Sequence, residues 1–176
     1  AERKVAESST SAAMRVRRLL HVPEDRHRVG LVLPFAASES GILGHHGDPR
    51  FLRGSLMDHG AVARDAAAKM EAYDVRPPLP GLRTSKFSGG NQQKIVLARE
   101  MERDPLVLLV GQPTRGVDIG AIEFIHKRII AMRDAGCAVL LVSVELDEIM
   151  SLSDRIIAMC GGRITGERLP SGSSAC

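Results

Sequence analysis

Apolar residues recur at helical spacing in several stretches of the chain. In residues 61–73, Val62, Ala66, Met70 and Tyr73 share one face among alanines, which predicts a helix. Three prolines within residues 75–80 must end it. Residues 94–103 carry Ile95, Val96, Leu97, Ala98 and Met101 and read as a second helix. In residues 120–133, Ile122, Ile125, Ile129 and Met132 form one stripe, with Asp118 placed to cap its start and Gly136 to close it. A short helix over residues 145–151 turns Leu146, Ile149 and Met150 inward. The rhythm differs at 106–110 and 138–142, short apolar runs bounded by turn residues, which suit strands buried on both faces. Residues 155–159 and 163–166 flank Gly161-Gly162, a two-residue hairpin signal.

The remaining stretches are more polar. Residues 1–13 form a mixed polar lead without the apolar segment of a secretory signal, and residues 170–176 form a Ser/Gly-rich tail expected to be disordered. Arg15, Arg17 and Arg18 read as a solvated basic face, or more sharply as a contact for phosphate or an acidic partner. Residues 21–31 are dense in charge and interrupted by Pro23, which describes a surface loop. Residues 35–60 hold His45, His46 and His59 among glycines. The adjacent histidines lack an acidic residue at helical spacing, so a glycine-rich linker between short helices is the expectation and no metal site is assigned.

Composition narrows the classes. At 176 residues there is enough chain for one domain with a real core. A net charge of +3 carries no nucleic-acid footprint, and aromatics at 3% leave no base-stacking surface, so nucleic acid is not an expected partner. No apolar run approaches the roughly 20 residues that span a bilayer. Cys137, Cys160 and Cys176 fit neither a zinc spacing nor a disulfide framework, which points to a reducing compartment. The first residue is Ala1 rather than Met, which suggests a processed or partial chain.

The chemistry concentrates in Phe87-Ser88-Gly89-Gly90-Asn91-Gln92-Gln93-Lys94. Two glycines let backbone approach a ligand closely, and the Ser88 hydroxyl can cap the helix or bond an anion. Free N–H groups and the positive end of the helix dipole then face that anion. An ordinary capped helix start would use the same residues. Downstream, the apolar run 106–110 is followed by Gly111-Gln112 and then Pro113-Thr114-Arg115-Gly116-Val117-Asp118.

In this order the motifs resemble the ATP-binding subunits of ABC transporters, in the form used by importers of sugars and nucleosides, over residues 21–168. The octad resembles the signature motif, and residues 113–118 resemble the segment joining the Walker B strand to the D-loop. The resemblance implies a partial P-loop NTPase-type α/β core with parallel strands, an α-helical signature subdomain over about 39–103 and an α/β part over 104–168 ending in a β-hairpin. A basic lead over 1–20 and a tail over 169–176 complete this division. It implies that Ser88, Gly89, Gly90 and Gln92 face the γ-phosphate of ATP, that Asp118 is the D-loop aspartate, and that Glu24, Asp25 and Arg26 stand in the Q-loop region. ATP and Mg²⁺ would meet this chain only at an interface shared with a second nucleotide-binding domain. Transmembrane permease subunits would be the other partners, at the inner, cytoplasmic face of the cell membrane.

Several catalytic parts have no counterpart. A Walker A loop needs Gly-Lys followed by Ser or Thr, and none of the five lysines (Lys4, Lys69, Lys86, Lys94 and Lys127) follows a glycine. The family's Walker B Asp-Glu pair falls on Gly111, which has no side-chain oxygen, and Gln112, which cannot accept a proton at neutral pH. Val144 stands at the switch position often held by His. The expectation is a second, degenerate half, truncated at its front, that lends its signature to a partner's ATP and hydrolyses none alone. A central strand of the sheet would then be missing, leaving 106–110 and 138–142 poorly covered. The alternatives are a non-catalytic module docking on a permease or regulator, and a remnant without function.

Overall fold

The structure, a computed structural model, describes residues 11–169. The expected lead up to residue 10 and the tail from residue 170 lie outside the described residues. In chain order the first half contains α1 Ser11–Val16, β1 Leu19–Val22, a π-helical turn Arg26–Gly30, α2 Ala37–Ser40, the two-residue strands β2 Leu52–Arg53 and β3 Leu56–Met57, and α3 His59–Ala72. The second half contains α4 Gly89–Met101, β4 Val107–Gly111, α5 Ile119–Asp134, β5 Ala138–Val142, α6 Leu146–Leu152, β6 Ile156–Cys160 and β7 Arg163–Arg168.

The sheet that positions the site is parallel, in the order β1-β4-β5, with Leu20 beside Leu108 and Leu109 beside Leu140. β1 begins inside the stretch read as the basic lead. Its alternation Leu20, Val22 buried against His21 exposed is the period-2 signal that the arginines before it obscured. Arg18 is not a free basic face either, since its Nε donates to the Asp104 carbonyl at 2.6 Å and its guanidinium pairs with the Asp104 carboxylate.

Leu20, Val22, Leu108 and Val110 all point to one face and join Val96 and Leu97 of α4 with Ile125 and Ile129 of α5 in the main core. The expectation that the strands are buried on both faces is corrected. Leu108 and Val110 are fully buried, but Leu140 and Val142 on the opposite face are 58% and 53% exposed. The reason is that α4 and α5 pack on one side only. Across the other, Met14 and Arg15 of α1 stand over Leu19, His21 and Leu109 around an open cavity of about 380 Å³.

The helices begin where short polar side chains cap them. Asp58 accepts the Ala61 amide at 2.9 Å to start α3, and Asp118 accepts the Ala121 amide at 3.0 Å to start α5. Gly136 ends α5 at φ +90°, a left-handed conformation that glycine adopts without a Cβ penalty. α4 starts earlier than the apolar pattern indicates, at Gly89, because Ser88 supplies its cap. α3 and α4 are tied to α5 through aromatic contacts: the ring of Tyr73, just after α3, meets that of Phe124 edge to face at 6.0 Å, and the Lys94 ammonium lies 4.8 Å from the Phe124 centroid.

Arg99 and Glu100 of α4 are both buried and paired at 2.7 Å. Arg99 also donates to the Gly30 and Ser40 carbonyls at 2.6 and 3.0 Å, so the charge is satisfied and the loop before α2 is held to α4. His45 Nε2 stands 3.7 Å from Glu100, so this histidine belongs to the interior pairing rather than to a ligand set. The Gly161-Gly162 hairpin forms as expected between β6 and β7, with both glycines at positive φ.

Leu108→Ala is expected to destabilise the chain by about 2–5 kcal/mol, because a fully buried side chain leaves a cavity. Leu140→Ala on the open face is expected to change stability by less than about 0.5 kcal/mol. Urea unfolding of both variants measures the difference.

Candidate functional site

Parallel strands present their following loops at one edge of a sheet, and ligand sites of such sheets gather there. β1, β4 and β5 end at Val22, Gly111 and Val142, so the loops carrying Glu24 to Arg26, Gly111 to Asp118 and Val144 all leave the same edge. The N-terminus of α4 reaches this edge from the helical subdomain.

Ser88 is exposed, Gly89 is partly exposed and Gly90 is buried. Ser88 Oγ accepts from the Asn91 backbone amide at 3.4 Å and from Asn91 Nδ2 at 2.9 Å. With both bonds accepted, its own O–H remains available to donate. The N–H groups of Gly89 and Gly90 belong to the first turn, where no intrahelical acceptor exists. Asn91 is itself fixed, since its Oδ1 accepts the Arg76 amide at 2.7 Å.

The glycines also serve close packing within the chain. A Cβ on Gly89 would lie 2.6 Å from the Gly116 carbonyl oxygen and 2.8 Å from Arg26 Nη2. One on Gly90 would lie 2.6 Å from an Asp118 carboxylate oxygen and 3.0 Å from the Ala121 methyl. The start of α4 therefore rests directly on the loop that follows β4.

Gln92 points the other way. It is 6% exposed; its Nε2 donates to the Thr84 and Phe87 carbonyls at 3.1 Å each, and its Oε1 meets His27 Nε2 at 2.7 Å. Both ends of the amide are engaged inside, so the structure does not bring Gln92 to the exposed corner formed by Ser88 and Gly89.

Arg26 is the residue that joins the loops. Its Nη1 donates to the Arg115 carbonyl at 2.8 Å and its Nη2 to the Gly116 carbonyl at 3.2 Å, while its Nε is buried without a partner. Burial pulls the Arg26 guanidinium down from its ordinary value, and the Asp25 charge opposes that shift. Arg115 returns the contact, with its Nη1 2.5 Å from Glu24 Oε1. Asp25 caps the π-helical turn, accepting the His27 and Arg28 amides at 3.1 and 3.0 Å. His27 and Arg115 were not anticipated as site residues. Each acts across a long sequence interval, 65 residues for His27–Gln92 and 91 for Arg115–Glu24, so no local spacing marks them.

The residues at the Walker B positions make a poor metal site. Gly111 has no side-chain oxygen, and a Cβ there would meet the Glu24 backbone nitrogen at 3.1 Å, so the space a carboxylate needs is taken by main chain. Gln112 adopts φ +45°, and its Oε1 faces the Val144 amide at 3.4 Å. Val144 itself is 78% exposed and offers only its backbone. Asp118 is exposed at the start of α5, where its cap on Ala121 leaves Oδ2 facing Gly90.

Gly89→Ala is expected to lower stability by about 1–3 kcal/mol, because the new methyl overlaps a backbone carbonyl that cannot rotate away. Gly111→Asp is expected to cost less than Gly89→Ala, because its Cβ would meet the Glu24 backbone nitrogen at 3.1 Å, a contact that a shift of a few tenths of an ångström relieves. Thermal unfolding in the presence and absence of Mg²⁺ checks both.

The chain matches no family model. It is 49% identical over 146 residues to the nucleoside import ATP-binding protein NupA of Lactococcus lactis subsp. cremoris, covering 83% of this chain and 29% of that protein. It is 46% identical over 144 residues to the guanosine import ATP-binding protein NupO of Bacillus subtilis, covering 82% of this chain and 28% of that one. A ribose import ATP-binding protein of Rubrobacter xylanophilus is 42% identical over 151 residues, 86% of this chain and 29% of the relative. The chain thus spans under a third of the length of these relatives. Among solved structures, a dimeric ATP-binding cassette in a post-hydrolysis state bound to ADP and phosphate superposes with a TM-score of 0.73 at 20% identity, covering 94% of this chain and 69% of the cassette. A nucleotide-free cassette of an ABC transporter gives 0.72 at 16% identity, with 92% and 65% covered. The parallel sheet, the helix α4 and these likenesses agree: the chain belongs to the ATP-binding-cassette family and is similar to a part of the ATP-binding proteins named above.

Proposed function

We propose that this chain supplies a signature corner to ATP held on a partner cassette, within an importer of sugars or nucleosides, and hydrolyses no ATP alone. The observation that carries the reading is the exposed start of α4, where the Ser88 hydroxyl and the first-turn amides of Gly89 and Gly90 converge beside the Arg26 guanidinium. The hydroxyl and the amides are donors, and together with the helix dipole and the nearby guanidinium charge they favour an anion such as a terminal phosphate. ATP would supply that anion and the bond to be cleaved; the part of this chain is to bind and orient.

Asp118 supports the same reading as a D-loop group at the interface with the partner, since it caps α5 through Ala121 while its exposed carboxylate lies beside Gly90. Glu24, Asp25 and Arg26 would carry the Q-loop role, joining the signature corner to permease subunits at the cytoplasmic face of the membrane. Among the described residues no helix is long and apolar enough to cross a membrane, so contact with a bilayer would run through those subunits.

Inactivity of the chain alone follows from its side chains. Gln112 stands where a base is needed, and loss of a general base alone costs about 10²–10⁴ in rate. No Gly-Lys pair is present to cradle phosphates, and that loss combines with the first in a non-additive way.

The test mixes the chain with an intact partner cassette whose own signature serine has been replaced. ATP is expected to stabilise the mixture beyond the sum of the separate proteins, by the amount that a shared site tightens its binding. Ser88→Arg in this chain should abolish that gain. ATP turnover by the chain alone that vanishes in Ser88→Arg would refute the reading, as would stabilisation indifferent to the substitution.

A further inference from the structure

Around Ser88 the free donors are neutral and the nearest charge is tied down. The Ser88 hydroxyl and the first-turn amides of α4 carry no net charge. Arg26 is anchored to main chain through both terminal nitrogens, on the Arg115 and Gly116 carbonyls, and its Nε is buried without a partner. It lends its charge from a fixed place.

Arg115 is placed differently. It stands one residue before Gly116, whose carbonyl oxygen a Cβ on Gly89 would meet at 2.6 Å, so its backbone borders the start of α4. Its side chain is 68% exposed, with Nη1 2.5 Å from Oε1 of Glu24, which is itself 54% exposed. Both residues line an open cavity of about 280 Å³, together with Asp25, Arg26, His27 and Gly116. A water molecule in the liquid takes about 30 Å³, so the guanidinium has room to swing away from Glu24. The Arg115 carbonyl stays on Arg26 Nη1 at 2.8 Å, so the side chain can turn while its main chain holds.

The balance of contacts favours an exchange of partners. An exposed ion pair is screened by water and salt and contributes little net stability. A planar guanidinium meets a phosphate through two parallel N–H···O bonds, a stronger and more directional contact. The other carboxylate of the cavity, Asp25, is turned to the His27 and Arg28 amides, which leaves Glu24 as the competitor for Arg115.

We infer that Glu24 and Arg115 form a latch beside the Ser88 corner, in which Arg115 leaves Glu24 to become the charged ligand of the terminal phosphate received there. The inference rests on the reading of that corner as a site for ATP held by a partner cassette. It adds a binding residue to the corner and assigns Glu24 the opposite sense: the carboxylate restrains binding by occupying the guanidinium.

The test titrates ATP into the full chain, fluorescently labelled, with the same partner cassette whose signature serine has been replaced, and reads association by anisotropy. Arg115→Ala is expected to raise the half-saturating ATP concentration by about tenfold or more, the scale of one hydrogen bond to a charged group. Arg115→Lys should recover part of that loss, since lysine keeps the charge but not the fork. Glu24→Gln is expected to lower the half-saturating concentration by about two- to fivefold, the scale of an exposed ion pair. That gain should shrink when position 115 is already Ala, because the carboxylate acts through the guanidinium. Absence of ATP-dependent association by the unsubstituted chain overturns the reading of the corner and the latch with it. Association that is present but unchanged by Arg115→Ala, or weakened by Glu24→Gln, overturns the latch alone. So does a Glu24→Gln gain that persists in full beside Arg115→Ala, since Glu24 would then repel the phosphate directly. Should Arg115→Ala unfold the chain, the sign of the Glu24→Gln shift still decides.

Discussion

The approach of the α4 N-terminus to the loop after β4 is the contact on which the site geometry depends. Gly89 lies so close to the Gly116 carbonyl that a methyl group would overlap it, and Gly90 stands equally close to Asp118. Arg26 fixes the same junction from a third direction by holding the Arg115 and Gly116 carbonyls. Three segments far apart in sequence thus meet within hydrogen-bond distance. The glycines contribute through what they lack, and the arginine through two donors in a fixed plane. The surface that results is a corner with the Ser88 hydroxyl outermost.

The same junction explains the altered Walker B positions as a self-consistent arrangement. With no side chain at Gly111, the Glu24 backbone lies over it, and Glu24 can then reach Arg115. Gln112 turns to the Val144 amide in a left-handed conformation uncommon outside glycine. These contacts link the segments at Glu24, Gly111 to Arg115 and Val144.

The sheet is lopsided in its burial. One face is closed by α4 and α5 around Leu108, Val110 and Ile125, and the other exposes Leu140 and Val142. A free β5 edge beside exposed apolar residues invites pairing with another chain. Because net stability of a domain is only about 5–15 kcal/mol, a sheet covered on one side and open at an edge has little margin.

Local chemistry marked much of this in the sequence. The positions Ile125 and Ile129, the cap at Asp118 and the Gly161-Gly162 turn each act within a few residues and formed where the pattern placed them, whereas Ala121 rather than Ile122 is buried at the start of α5. The order of Ser88-Gly89-Gly90, the β4 run and residues 113–118 was enough to indicate the family, because those motifs are contiguous. Burial of β5 could not be read in the same way. An apolar run states that a strand tolerates cover on both faces, whereas the cover itself comes from elements that pack elsewhere in the chain or outside it. Nor could the sequence tell that Gln92 turns inward to His27, Thr84 and Phe87 while Ser88, four residues earlier, faces out. The residue types and their short-range periods were determined by the sequence alone. Which side of α4 is free, and that Arg26 closes on Gly116 from 90 residues away, only the tertiary structure decided, because those contacts depend on how separate segments pack in space.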